Sequence, residues 1–222
     1  MNKKIFFSAL FVFAAALFLC GCPLKVTVNC DKNDKLSINF SSQLGTAFVE
    51  NLTQIQQISD ENGENSANLD EIAKKIQSEL NASFFQNASV NIDQKSLSAG
   101  AQVSSLKKFP KEFIDIKKQP NGKKTFALTL NPETLAASIL QEDSAAKTLA
   151  DILMAPIISG EEMSLDEYKD LLTEIYGGRL ASELLSGDLV VEFVANGQKQ
   201  VQRVPVSDLL LSASGKQFAF EY

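Results

Sequence analysis

Ser144 and Lys147 stand three residues apart in Ser-Ala-Ala-Lys, the spacing at which an attacking serine and an assisting lysine share one helical turn. The companion elements S-D-N and K-T-G do not occur in the chain, so the pair reads as a capping serine beside a solvated lysine. Glu161 with Glu162, and Asp166 with Glu167, are paired carboxylates of the type that acid–base hydrolysis of glycosides uses. The second pair follows Ser164 at a predicted helix start, where the dipole already favours acids. Asp31, Asn33 and Asp34, and again Asp60, Glu61 and Glu64, offer oxygen ligands but lack the regular spacing and closing glutamate of a calcium loop. Both sets read as solvated turns. The chain has no histidine, which removes Ser-His-Asp and Cys-His relays, zinc-protease helices and imidazole metal sites. The expectation is a protein that is not an enzyme, with no catalytic residue, metal ligand or cofactor.

The cysteines carry a different chemistry. Lys3 and Lys4 precede an apolar run from Ile5 to Leu19, shorter than the roughly 20 residues of a membrane-spanning helix. The lysines are retained on the cytoplasmic side, and the run has the length of a secretory h-region. It closes on Leu19-Cys20-Gly21-Cys22. This ending resembles the bacterial prolipoprotein box, in which a branched aliphatic and two small residues precede an invariant cysteine. The resemblance implies cleavage after residue 21, acylation of Cys22, and attachment of the chain to a membrane of the bacterial envelope, on its periplasmic or surface side. Cys20 is larger than the usual alanine or serine, and such looser boxes are typical of spirochaetes. The abundance of Lys, Asn, Ser and Phe without Trp or His suits such a source. Cys30 is then the single thiol of the mature chain, so no internal disulfide framework is available. It reads as a small buried apolar residue.

Charge is unevenly spread. The chain is formally −6, and loss of Lys3 and Lys4 makes it −8, a balance unsuited to nucleic acid. Yet Lys107, Lys108, Lys111, Lys117, Lys118, Lys123 and Lys124 face only Glu112 and Asp115 in sequence, a local +5. Two expectations compete for this cluster: contact with an anionic surface, such as acidic lipid or an envelope protein, and guarding of an exposed sheet edge.

The elements that must position these residues follow from periodicity. Alternation at 24–29 and 36–40 predicts a hairpin, helical spacing at 44–58 and 68–80 predicts two helices, and 90–92 with 97–106 predicts a second hairpin. The order recurs: a hairpin at 113–116 and 125–130 around Pro120-Asn121-Gly122, helices at 131–140, 144–155 and 164–176, a break at Gly177-Gly178 before a shorter helix to 185, and a hairpin at 189–195 and 198–206 around Asn196-Gly197. A terminal strand covers 217–222. Residues 149–158 are apolar around much of the helical circumference and read as core. Residues 22–222 thus form one α+β domain of antiparallel β-hairpins with helices packed on one face. Its halves, 24–106 and 107–222, share a hairpin–helices–hairpin order that an internal duplication would leave. Only Pro23 separates Cys22 from strand-like sequence, so the body sits close to the bilayer. The functional expectation is an envelope lipoprotein that acts by binding, with a carrier of lipid or another apolar ligand and a structural subunit of an envelope complex as alternatives.

Overall fold

The computed structural model describes residues 24–47, 50, 69–82, 85–93, 95–106, 111–131, 163–212 and 215–222. The predicted helices at 131–140 and 144–155, most of that at 44–58, and the apolar stretch 149–158 lie outside the described residues. The α+β class holds. Strands β1 (Leu24–Cys30) and β2 (Leu36–Gln43) are followed by helix α1 (Leu69–Ala82), then by β3 (Phe85–Ile92) and β4 (Ser96–Val103). Strands β5 (Ile114–Lys118) and β6 (Lys124–Leu130) precede helices α2 (Leu165–Tyr176) and α3 (Gly178–Ser186). Strands β7 (Asp188–Ala195) and β8 (Gln198–Pro205), the short helix α4 (Val206–Leu210) and β9 (Lys216–Glu221) complete the order.

Local chemistry accounts for the boundaries. Ser164 caps α2 in a reciprocal box: its hydroxyl accepts from the Glu167 amide, and Glu167 accepts from the Ser164 amide at 2.8 Å. Gly177, at φ +81°, ends α2 and starts α3. In the β7–β8 turn Asn196 and Gly197 both take positive φ, 52° and 75°, the requirement of a two-residue hairpin loop with matching twist. Val206, expected to end a strand, instead begins α4: its amide still donates to the Gly187 carbonyl at 2.9 Å, and Pro205, opposite Asp188 on the edge strand, stands at the N-cap.

Six strands form a large sheet in the order β3-β4-β2-β1-β7-β8, and three form a small one, β5-β6-β9. Tight turns predicted antiparallel pairing, and one pairing departs from it: β1 lies parallel to β7, Leu24 opposite Leu189 through Cys30 opposite Ala195. The hairpin–helix–hairpin order does recur, but the halves assemble differently. In the first half both hairpins join through β2 and β4, whereas β5–β6 pairs with β9 and β7–β8 pairs with β1.

One face of the large sheet makes the core. Leu24, Val26 and Val28 of β1 and Leu189, Val191 and Phe193 of β7 are buried on it, under Tyr168 and Leu172 of α2 and Ala181 and Leu184 of α3. Ala73 and Leu80 of α1 are buried, and Leu80 packs with Ala88 over the β3–β4 edge. The small sheet docks on the same side through aromatic rings. Phe193 stacks on Phe126 at 4.7 Å and on Phe220 at 5.4 Å between centroids, and Tyr222 tilts against it at 5.2 Å. Truncating this shared ring removes contacts on both sheets and leaves a cavity. Phe193→Ala should lower unfolding free energy by about 3–5 kcal/mol, measured by urea denaturation; a loss below about 1 kcal/mol would show that the sheets do not depend on the stack.

Candidate functional site

The strands carry the basic residues apart. Lys107 and Lys108 lie outside the described residues. Lys111 precedes β5, and Lys117 and Lys118 end it; at roughly 3.3 Å per residue the strand spans about 13 Å. Lys117, Lys118, Lys123 and Lys124 do converge, at the tip of the β5–β6 hairpin, where Lys118 pairs with Lys124 across the ladder. Three of these four meet acids: Lys117 approaches Asp115 at 3.4 Å, Lys123 approaches Glu221 at 3.5 Å, and Lys124 binds Asp34 at 2.6 Å. The local +5 of the sequence is therefore divided between two places and largely offset where it is densest.

Asp34 links the two sheets. The Lys124 ammonium donates to both of its oxygens, and the Tyr222 hydroxyl donates to Oδ1 at 3.1 Å. The Cys30 thiol, in turn, lies 3.6 Å from the Tyr222 oxygen. Burial pushes the Cys30 thiol up in pKa, and the nearby carboxylates Asp34 and Asp31 add to the shift. A thiol held in its protonated form is a weak nucleophile. Burial likewise raises the Tyr222 phenol. This Cys–Tyr–Asp–Lys chain can fasten the β1–β2 turn to the small sheet, but it presents no activated nucleophile. Sequence reading placed Asp34 in a turn and Lys124 on a hairpin; nothing local could pair residues 90 positions apart.

The second polar group occupies the open face of the large sheet. Glu192 points away from the core, unlike its neighbours Val191 and Phe193, and takes Lys199 at 2.6 Å and Lys25 at 3.0 Å. The Thr27 hydroxyl is 3.5 Å from the same carboxylate. The hydrogen bond from Lys199, with that from Lys25, lowers the Glu192 pKa despite partial desolvation under the lysine stems. A single inward–outward alternation hides this residue from sequence reading.

The remaining candidates resolve into local structure. Glu167 is the capping acid of α2, and hydrogen bonds from Ser164 lower its pKa. Asp31 accepts from the amides of Asn33 and Lys35 within its turn. Ser144, Lys147, Asp60, Glu61, Glu64, Glu161 and Glu162 lie outside the described residues. Among the described residues no group of three His, Cys, Asp or Glu side chains is placed to hold a metal ion, and no helix is long and apolar enough to cross a membrane. Tyr168 is fully buried, and on α2 the Tyr176 hydroxyl is buried without a hydrogen-bond partner among the described residues. Searches of protein-family models, curated proteins and solved structures found no match.

The Glu192 site has a defined pH dependence. Its folded pKa lies below the ordinary carboxylate value, so the stabilisation it brings is complete above that value and is lost as pH falls through the folded one. Glu192 is buried but both lysines are about half exposed, so each pair is worth about 1 kcal/mol or less. Glu192→Gln should lower stability modestly at pH 7, and the gap between variant and parent should shrink steadily as pH falls below the ordinary carboxylate range, measured by urea midpoints across an acid series; a gap that does not change with pH would assign the cost to packing.

Proposed function

We propose that this chain is a bacterial envelope lipoprotein, acylated at Cys22 and held at the membrane, which acts by binding and not by catalysis. The observation that carries the reading is the ending Leu19-Cys20-Gly21-Cys22 after Lys3, Lys4 and the apolar run. The start of β1 at Leu24 supports it, because a body that begins two residues after the anchor suits a task close to the bilayer. The protonated, buried thiol of Cys30 supports binding over nucleophilic chemistry. Several acyl chains at about 0.8 kcal/mol per buried methylene make such attachment effectively permanent. Cys22→Ser should abolish incorporation of radioactive palmitate and either release the protein or trap its precursor. Unchanged labelling in that variant would refute the anchor.

One observation favours the carrier reading in addition. A buried hydroxyl without a partner normally signals a water or ligand that completes it, and Tyr176 holds one beside the buried Tyr168 at the apolar face of α2. A ligand with an apolar body and one polar acceptor would satisfy it. Native mass spectrometry of the intact protein should then reveal a co-purifying mass that Tyr176→Phe diminishes. A single species at the mass of the acylated chain would count against carriage.

A further inference from the structure

We propose that the folded body stands on end over the bilayer, the Leu24 end of the large sheet against the headgroups and the turns at 31–35, 119–123 and 196–197 at the far pole. This inference rests on the anchor at Cys22 and adds the surface that meets the membrane. Between Cys22 and Leu24 the sequence has only Pro23, and two residues reach at most about 7 Å. So short a span keeps an acyl group on Cys22 within that distance of the Leu24 end of β1. That strand is fourth of the six in its sheet; the tether therefore leaves from the middle of the sheet's lower end, not from a corner.

The pairings define the two poles. Leu24 lies beside Ser42 and Leu189, Ser42 lies opposite Leu97, and Leu189 lies opposite Val204. Six residues later Cys30 lies beside Leu36 and Ala195, and its thiol meets Tyr222, which joins Asp34 and Lys124. The small sheet runs the same way. Gln200 and Gln202 of β8 donate to the carbonyls of Glu221 and Ala219, which sets Tyr222 at the far pole and Lys216 at the near one. At about 3.3 Å per residue, β1 alone separates the poles by roughly 20 Å.

This distance decides what the lysines can do. The screening length is about 8 Å at physiological ionic strength, so Lys117, Lys118, Lys123 and Lys124 at the far tip feel little of the leaflet that holds Cys22. The exposed lysines at the near pole are Lys95, in the β3–β4 turn beside Leu44, Lys111, which precedes β5, and Lys216, opposite Leu130. Lying flat on the open face offers less. Across β3, β4 and β2 that face exposes Gln86, Ser89, Asn91, Gln102, Asn39 and Ser41, and its cations on β1 and β8, Lys25, Lys199 and Arg203, are engaged by Glu192 and Asp188.

The chain has no tryptophan, so a single introduced one reports position. Full-length acylated protein carrying Lys216→Trp or Lys118→Trp, both exposed positions, would be reconstituted into phosphatidylcholine vesicles containing a lipid with a nitroxide on its headgroup. Quenching several-fold stronger at 216 than at 118 is expected, and unchanged by salt. Should either variant fail to fold, Lys95→Trp and Lys32→Trp make the same comparison from exposed turns. Equal quenching at both poles, or stronger quenching at the far one, would overturn the orientation while vesicle flotation still demonstrates the anchor. A chain that does not float with the vesicles would overturn the anchor, and the orientation with it.

Discussion

The parallel ladder between β1 and β7 joins residues 24–30 to residues 189–195, and the rest of the molecule is arranged around that closure. The first strand of the body becomes the middle of its sheet, so its inward residues Leu24, Val26 and Val28 are buried to 1% exposure or less. None of this burial is complete until β7 has been supplied. Closing a long loop costs only slowly more with length, but pairs so distant in sequence form late. The local hairpins can form earlier and wait. The core is then sealed when β7 brings Phe193 under Phe126 and Phe220, which makes completion of the large sheet and docking of the small one a single event.

Two open sheets present four edges, each a template for unwanted pairing, and each is blunted differently. On β3 the register shifts between Gln86 and Ser89, with Asn87 at φ 54°, and Asn81 at the end of α1 accepts from the Ala88 amide. Strand β5 carries Lys117 and Lys118. Strand β9 has the carbonyls of its open side capped by the amides of Gln200 and Gln202. Strand β8 combines exposed Lys199 and Arg203 with a terminal proline. Of the four lysines at the β5–β6 tip, Lys117 and Lys118 stand on the open edge, and Asp34, Asp115 and Glu221 limit the mutual repulsion of the group.

Elements written as a local period were legible in the sequence. The β7–β8 hairpin declared itself through alternation around Asn-Gly, and α2 through Ser164 and Glu167, because turn geometry and capping use residues only a few positions apart. The candidate site was much less legible. Asp34 with Lys124, Cys30 with Tyr222, and Glu192 with Lys25 join residues 90 or more positions apart, and each residue taken alone resembles an ordinary turn acid, surface lysine or core thiol. The parallel pairing was hidden for the same reason. Hairpin signals specify the partner across a turn, whereas the strand on the other side is chosen by which buried stripes fit together.

A central strand flanked by ladders on both sides also has a mechanical meaning. A pull on Leu24 along the sheet would load the ladders to β2 and β7 side by side, so that many hydrogen bonds must fail together before β1 slides. A pull on Tyr222 meets β9, an edge strand with one ladder, to β6, and two side-chain amides, Gln200 and Gln202, on its open side; this strand can be peeled away pair by pair. The same domain is thus stiff from one terminus and compliant from the other. A force applied at Leu24 would be resisted by two ladders at once, whereas one applied at Tyr222 would open the small sheet first.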